Sequence, residues 1–356
     1  MRKTIGSKKW LLGFFAVLMV LCLIFSLVVY AVDPFFQFRV RDDTYMLNGL
    51  YVSPGLIKNY DYDTLIIGSS MTQNFDMDQV REVLGVKPLH IGIGAMTCEE
   101  MSEYLALANK VGKAKTVYAC IDQFNLALID PGNKNTEYLM KDDVLSRIQY
   151  FFSYEAWFRF MPVDLGFAFL KAAGVQLPES ISREISIDKL ENFEHNYVFS
   201  EEEFLRKYEG EPRDESIDTD GLEERMRAEA DKFLNSVDFD SAEYVFFFPP
   251  YSGMYWCDAQ DFGYFDAFMA AKEYFIERAE EHGATVYDFQ AEDLICDLDN
   301  YTNSKHYGPE INDWMIECFA SGHDMVTARD CADFKAKLVE ETDIFRAKYP
   351  SLFAAE

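Results

Sequence analysis

Two groups of residues, far apart in the chain, could together act on an acyl group. Gly68-Ser69-Ser70 offers hydroxyl groups early in the sequence, and His306 offers an imidazole late in it. A serine hydroxyl is a poor nucleophile until a base takes its proton, and an imidazole does this near neutral pH. The residue types therefore predict nucleophilic acyl chemistry, provided that the fold brings these side chains together.

The residues around the two serines predict a strand, a tight turn and a helix. Residues 64–67 are apolar or β-branched and uncharged, which is typical of a strand buried on both faces of a parallel sheet. Residues 76–84 carry apolar side chains at helical spacing. The turn between them would lie at the carboxyl edge of the sheet, where open α/β folds place their sites. Backbone N–H groups at the helix start could stabilise an oxyanion there.

The rest of the chain continues the alternation of strands and helices. Further strands are predicted at 86–93, 116–121, 243–248 and 286–289, with helices at 98–111, at 265–279 and from Pro309 to just before Gly322. The pattern predicts an α/β fold, a flavodoxin-like three-layer sandwich with about five parallel strands. Residues 131–238 break the alternation and predict a helical insertion over the carboxyl edge of the sheet, as a lid or acceptor-binding element.

The N-terminal region predicts a membrane anchor. Four basic residues precede residues 10–32, a run of 23 residues without a charge, and about 20 suffice to cross a bilayer. The basic flank predicts a cytoplasmic tail at 1–9, the transmembrane anchor at 10–32, a juxtamembrane arm at 33–62 and an outward-facing domain at 63–356. A cleaved signal peptide is the alternative, but its apolar core normally spans only about 7–15 residues.

The net charge and the cysteine spacing limit the ligands that this protein is expected to bind. The net charge is −28, and without the four basic residues of the anchor region 29 basic residues face 61 acidic ones, a net charge of −32. Nucleic acid is excluded as a partner, because binding it needs a basic surface. Six of the seven cysteines follow the anchor, and their spacing contains no zinc pattern, so no metal is predicted.

Four stretches give the chain a resemblance to a known superfamily: Ile67-Gly68-Ser69-Ser70, Ile91-Gly92-Ile93-Gly94, Phe248-Pro249-Pro250-Tyr251-Ser252 and His306-Tyr307. The chain resembles the SGNH (GDSL-like) hydrolases. It looks most like membrane-anchored bacterial members such as the D-alanyl transfer protein of lipoteichoic acid synthesis and polysaccharide O-acetyltransferase-like proteins. The first and last stretches are the chemically specific ones.

The resemblance implies roles for individual residues. Ser70 rather than Ser69 matches the nucleophile, the third residue of the Gly-x-Ser motif. A glycine after the second strand supplies an oxyanion N–H, and both Gly92 and Gly94 fit, with Gly94 nearer the loop. The usual Gly-x-Asn-Asp is absent after the third strand, where Gln123 or Asn125 could donate instead.

Asn303 is the departure from the superfamily pattern. An aspartate three residues before the histidine normally orients the ring, and here that position holds an amide. Three hypotheses remain open: a Ser–His dyad oriented by a backbone carbonyl, a carboxylate from Asp299 or Asp297, or a protein without activity that serves binding or assembly.

The expected function is that of an extracytoplasmic esterase or O-acyltransferase on cell-envelope glycopolymers, working through Ser70 and His306. The resemblance implies no cofactor and leaves open a membrane protein that delivers the acyl group. Aromatic and polar side chains that follow the fourth predicted strand could form a wall for a sugar ring: Tyr251, Ser252, Tyr255 and Trp256.

Overall fold

The computed structural model describes residues 7–41, 48–127, 136–175, 197–208 and 217–353, without the side chains of Ser7, Phe124 and Asn125. The chain forms two compact units. One comprises residues 61–134 and 188–356 and contains the sheet. The other comprises residues 1–60 and 135–187.

The sheet has five parallel strands in the order β2-β1-β3-β4-β5. Their bounds are Thr64–Gly68 (β1), Pro88–Gly92 (β2), Thr116–Cys120 (β3), Glu243–Phe248 (β4) and Thr285–Asp288 (β5). The register pairs Gly68 with Gly92, so that β1 and β2 end at the same edge. This flavodoxin-like order confirms the predicted fold class and places the chain reversal, with its crevice, beside β1.

The helices fill the connections between the strands. Their bounds are Ser7–Val32 (α1), Gly49–Asn59 (α2), Met77–Leu84 (α3), Cys98–Val111 (α4), Gln123–Ala127 (α5), Glu137–Met140 (α6), Val144–Phe151 (α7), Met161–Ala172 (α8), Glu201–Tyr208 (α9), Leu222–Ser236 (α10), Gly253–Asp261 (α11), Phe265–Glu281 (α12), Pro309–Ser321 (α13) and Cys331–Lys348 (α14). A π-helical turn, Ala156–Phe160, precedes α8.

The aromatic residues of β4 show how the sheet joins its two helical layers. Phe247 contacts Phe319 of α13 on one face, with ring centroids 5.3 Å apart. Phe246, which points the other way, lies 5.3 Å from Phe275 of α12. Alternate side chains of a strand point to opposite faces, so a strand that is buried on both sides becomes apolar throughout.

The predicted helix ends agree with local capping. The carboxylate of Asp76 accepts a hydrogen bond from the N–H of Asp78 at the start of α3. Thr97 and Glu100 form a reciprocal capping box at the start of α4. Gly322 adopts the left-handed conformation that ends α13. The strand predictions differ by one or two residues at some ends, where single hydrogen bonds such as Ile93 N–H to the Gly68 carbonyl continue the pairing.

The second unit contains the apolar N-terminal helix and part of the predicted insertion. Residues Lys8–Val32 form a helix that is long and apolar enough to cross a membrane. Val29, Phe35, Tyr150 and Phe160 belong to its apolar core. Residues 135–187 group with the N-terminal segment, and the place of the insertion over the sheet edge stays a prediction. Parts of the insertion, at 128–135, 176–196 and 209–216, lie outside the described residues.

Candidate active site

The turn after β1 holds Ser70 at the carboxyl edge of the sheet. Ser70–Thr72 forms a short 3₁₀ turn, and the half-buried Ser70 is its first residue. The Thr72 hydroxyl donates to the Ser69 carbonyl over 3.0 Å, which closes the turn on itself. The nucleophile candidate is thus fixed by backbone geometry directly at the end of a buried strand.

Two glycines allow the turn to lie this close to the sheet. A Cβ atom on Gly68 would come within 2.5 Å of Thr72 Cγ2 and 2.6 Å of Cys120 Cβ. On Gly92 it would come within 2.7 Å of His90 Nε2. A side chain on Gly68 would displace Thr72 of the turn, and one on Gly92 would displace the His90 ring, which bonds to the Thr72 hydroxyl, so steric packing explains both glycines.

Ser69 holds the turn and does not face the imidazole. Its hydroxyl donates to Asp122 Oδ2 over 3.0 Å and accepts a longer bond, 3.3 Å, from the Met71 N–H. The side chain is almost completely buried. Its bonding therefore suits a structural role, while Ser70 carries the hydroxyl directed to the histidine.

His306 lies in a tight loop that packs against this turn. An antiparallel bridge joins Tyr301 to Tyr307, and the Thr302 N–H donates to the His306 carbonyl. The Tyr307 hydroxyl donates to the Met71 carbonyl over 2.8 Å. The Asn74 side chain donates to the Tyr307 carbonyl over 3.1 Å. These last two bonds tie the loop to the turn that carries Ser70.

Two other segments hold the same loop from elsewhere in the chain. After β4, the Ser252 hydroxyl donates to the Ser304 carbonyl over 2.9 Å, and the Pro250 carbonyl accepts from the Tyr301 hydroxyl. From α9, the Lys207 ammonium donates to the Thr302 hydroxyl over 2.7 Å. The position of His306 is therefore determined by three separate parts of the sequence.

The three polar side chains line up as a relay. Ser70 Oγ and His306 Nε2 lie 2.8 Å apart, and His306 Nδ1 and Asn303 Oδ1 lie 3.0 Å apart. Asn303 Oδ1 also accepts the backbone N–H groups of Lys305 and His306, over 3.0 and 2.9 Å. Because backbone N–H groups only donate, they fix this amide atom as the oxygen.

The orientation of that amide decides the tautomer of His306. An oxygen beside Nδ1 requires Nδ1 to carry the proton, which leaves Nε2 unprotonated toward Ser70. This is the tautomer that a general base needs. An asparagine locked by two backbone donors thus provides the orientation, although it cannot supply the negative charge of an aspartate.

The electrostatic surroundings keep His306 neutral. Burial, and then the positive charges of Lys305 and Lys207, lower the pKa of its imidazole to about 4. The two carboxylates considered as substitutes bond elsewhere: Asp299 accepts the Glu201 N–H at the start of α9, and Asp297 accepts the Asp299 N–H. The partner of His306 Nδ1 is the Asn303 amide oxygen, an orienting group that was not among the three hypotheses.

The predicted oxyanion donors differ in placement. Gly94 follows Ile93, whose N–H bonds to the end of β1, and the space where its side chain would be is open. Gln123 is fully buried and donates its amide to the Phe268 carbonyl over 3.3 Å, so it packs α5 against α12. This differs from the donor role predicted for Gln123. The side chain of Asn125 is outside the described part of the chain, and Gly94 stays a prediction.

The predicted sugar-binding wall is not a surface in the structure. Four side chains at the start of α11 are buried: Tyr251, Ser252, Tyr255 and Trp256. The aromatic rings pack on one another, with Tyr251 and Tyr255 centroids 4.4 Å apart. Tyr255 also lies against Phe268 of α12, with ring centroids 6.4 Å apart. Ser252 instead holds the histidine loop.

Some contributors to the site could not be found from sequence. Lys207 lies about 100 residues before the loop that it holds, in the segment interpreted as an insertion, and no local pattern distinguishes it. Among the described residues, Cys318, His323 and Asp324 could hold a metal ion, with ligand atoms within 4.8 Å of one another. This group lies at the end of α13 and is separate from the relay of Ser70.

Ser70, His306 and Asn303 offer a hydroxyl, an imidazole and an orienting group in the order that serine hydrolases use. Searches against protein-family models, curated proteins and solved structures found no match for this chain. Inference about function therefore depends on the residues and their geometry.

Proposed function

We propose that this protein is a membrane-anchored SGNH-type serine esterase or O-acyltransferase. The observation that carries the proposal is the 2.8 Å contact between Ser70 Oγ and His306 Nε2, with Asn303 Oδ1 on the other ring nitrogen. A nucleophile, a base and a group that orients the base, within hydrogen-bond reach in that order, are what covalent acyl transfer requires.

The reaction would proceed through an acyl-serine. His306 Nε2 accepts the proton of the Ser70 hydroxyl as Oγ forms a bond to the ester carbonyl carbon. Backbone N–H groups of the turn and of Gly94 would bind the developing oxyanion. The ester C–O bond then breaks, and the leaving alcohol takes the proton from His306.

The second half of the reaction would repeat these steps with another hydroxyl. Water or a sugar hydroxyl gives its proton to His306 and attacks the acyl carbon, and Ser70 regains its proton as it leaves. Water as acceptor makes the protein an esterase, and a sugar hydroxyl makes it a transferase. The resemblance to envelope-modifying proteins supports cell-envelope polysaccharide as the substrate, with an apolar helix holding the protein at the membrane.

A non-catalytic binding or assembly protein is the second candidate. It is favoured by the uncharged Asn303 and by the low pKa, about 4, of His306. A base of such low pKa takes a proton from serine less readily, and no carboxylate charge from Asn303 stabilises the imidazolium that forms. These features predict slow turnover under the enzyme hypothesis and no turnover under this one.

Labelling of the serine separates the two candidates. Full-length protein in detergent should react with a fluorophosphonate probe and hydrolyse an activated acetyl ester. Ser70→Ala should abolish labelling and lower turnover by roughly 10³-fold or more, because the nucleophile is lost.

Ser69→Ala is the matched control for that experiment. It removes a neighbouring hydroxyl that bonds to Asp122 and should keep labelling per folded molecule, although it lowers stability by about 1–3 kcal/mol. Wild type that neither labels nor turns over would end the enzyme hypothesis. If Ser69→Ala lost labelling and Ser70→Ala kept it, the nucleophile would be Ser69.

A further inference from the structure

The helices of residues 144–172 carry apolar side chains on their outer face. On α7, four exposed apolar side chains fall within an arc of about 100°: Val144, Leu145, Ile148 and Phe152. Leu145 is 77% exposed. Ser146 and Tyr150, on the opposite side of the helix, are buried. The outer surface of α7 thus carries an apolar stripe, flanked by the exposed Arg147 and Gln149.

The same arrangement continues through the π-helical turn and α8. A stripe of exposed apolar side chains has spacings of four, seven and four residues: Tyr154, Phe158, Leu165 and Phe169. Phe158 and Phe169 are each 72% exposed. Ala156, Phe160 and Met161 fill the buried side. The exposed side also carries two basic residues, Arg159 and Lys171. An apolar stripe with basic residues beside it is typical of a helix that lies in a membrane interface.

Polar contacts place these helices at the carboxyl end of α1. The Tyr150 hydroxyl of α7 donates to the buried carboxylate of Asp33 over 2.7 Å, directly after the last residue of α1. Arg39 donates to the carbonyls of Tyr30 and Ala31 over 2.6 and 2.7 Å, and Arg41 donates to that of Val32. Arginines on the final carbonyls of an apolar helix suit the polar boundary of a bilayer.

One ring contact shows how far the helices extend along α1. Trp157 packs on Phe25 of α1, with ring centroids 4.6 Å apart. Phe25 precedes the arginine-bound carbonyls by five to seven residues, a distance of roughly 8–10 Å along a helix. Helices that lie in a membrane interface are immersed by roughly 5–10 Å. If α1 spans the bilayer, Trp157 therefore lies about as deep as an interfacial helix is immersed.

The charge of this segment differs from that of the chain. Residues 144–172 contain three basic residues, Arg147, Arg159 and Lys171, and two acidic ones, Glu155 and Asp164, whereas the whole chain carries −28. A slightly basic, apolar segment in an acidic protein is compatible with anionic headgroups, which would repel the acidic remainder.

We propose that this apolar face, formed by Val144, Leu145, Ile148, Phe152, Tyr154, Phe158, Leu165 and Phe169, is immersed in the leaflet from which α1 emerges. It is a second, non-spanning membrane contact, and its occupant is lipid. The continuity with α1, the depth of Trp157 and the charge of the segment all point to the same partner. This inference does not depend on the acyl chemistry of Ser70.

Photo-crosslinking of the full-length chain tests the proposal. p-Benzoylphenylalanine is placed at Phe158 or Phe169, the protein is reconstituted in vesicles of phosphatidylcholine and phosphatidylglycerol, and irradiated peptides are analysed by mass spectrometry. Met325, which is 55% exposed in the unit that contains the sheet, is the control position. Phospholipid adducts are expected at Phe158 and Phe169 and not at Met325.

Two results would overturn the inference. One is a lipid yield at Phe158 and Phe169 that is no higher than at Met325. The other, from irradiation of native membranes, is capture of a protein in place of lipid at both positions, which would make the apolar face a protein-docking surface. A Ser70→Ala background should leave the adducts unchanged, so failure of the proposed enzyme function would remain distinguishable.

Discussion

Asn303 separates two tasks that an aspartate performs together in a serine hydrolase. One task is to hold the imidazole in the tautomer that presents a bare nitrogen to the serine, and the other is to stabilise the imidazolium by charge. In the serine-protease case, replacing the aspartate by asparagine costs about 10⁴ in turnover because the wrong tautomer results. Here the bonds from Lys305 N–H and His306 N–H orient the amide correctly, so only the charge is missing.

Asn303→Asp should restore that charge and raise the pKa of His306 from its value of about 4. The base works only when neutral, so wild-type activity should rise with pH through about 4 and then level off. In the variant this rise should move to higher pH, and the plateau rate should increase by roughly 10-fold, well below the 10⁴ ceiling. The measurement is the pH dependence of acetyl ester hydrolysis.

Asp299→Asn provides the control for this change. The Asp299 carboxylate accepts the Glu201 N–H at the start of α9, so its replacement should leave the midpoint of the pH profile where it is. If the midpoint of Asn303→Asp also stays near 4, His306 is not the base that titrates. If Asp299→Asn alone shifts it, the orienting group has been assigned incorrectly.

At the level of secondary-structure elements, the site depends on how the loop of residues 301–307 is held. Tyr307 joins it to the turn of Ser70, and Tyr301 joins it to the segment after β4, each through one buried hydroxyl donating to a carbonyl. The two bonds are chemically equivalent and lie at the two ends of one loop. Of these two hydroxyl bonds, only that of Tyr307 ends on the turn that carries Ser70.

Tyr307→Phe and Tyr301→Phe therefore form a matched pair. Each leaves a buried carbonyl without its donor and should lower the free energy of unfolding by about 1–3 kcal/mol. Tyr307→Phe should also reduce ester turnover clearly more than Tyr301→Phe, because the distance from Ser70 to His306 is no longer fixed from the turn side. Urea denaturation and steady-state kinetics measure the two effects. Equal turnover in the two variants would contradict this role of Tyr307.

The strands and helices of the fold were largely predictable from the sequence, and β1 and β4 show the physical reason. After Thr64 in β1 and Glu243 in β4, both strands are uninterrupted apolar runs, which indicate strands covered on two faces, and glycine or proline marks their ends. The spans of α3 and α4 followed from the helical spacing of apolar residues, and the caps at Asp76 and Thr97 agree with where these helices begin. The direction of side chains after β4 was not predictable, because the period of a strand stops at Pro249, and so Tyr255 and Trp256 were wrongly expected at the surface.

The site itself was predictable only where chemistry restricts the residue type. Few side chains can serve as nucleophile and base, so Ser70 and His306 could be singled out, and the structure brings them together. Lys207 forms ordinary hydrogen bonds that any long cationic side chain could make, and its partner is far away in the sequence. The orientation of the Asn303 amide depends on two backbone N–H groups that no sequence pattern reveals.

On the scale of the whole molecule, the chain combines a unit built on a parallel sheet with a unit that contains an apolar helix. The basic residues Arg2, Lys3, Lys8 and Lys9 all precede the uncharged run. Cytoplasmic flanks are enriched in such residues, which predicts that the N-terminus stays inside and the sheet unit faces outward. An envelope polysaccharide can be the substrate only in that orientation.

Protease accessibility tests this orientation. Protease added to intact spheroplasts should remove everything after Val32 and leave an N-terminal tag protected, since the bilayer shields only the inner end. Detergent lysis should then expose the tag to digestion, which shows that the protease can cut it. Protection of the complete chain in intact spheroplasts would contradict the outward orientation and exclude the envelope substrate.

The 236-residue separation between Ser70 and His306 has a consequence for biosynthesis. Ribosomes make the chain from its N-terminus, so Ser70 is synthesised, and in the predicted orientation also exported, before His306 has been translated. If Ser70 is the proposed nucleophile, it stays inert until residues 300–308 have been translated and have packed on the turn. On the proposed function, a chain still in transit could not react with activated acyl donors, and reactivity would appear only when synthesis is nearly complete.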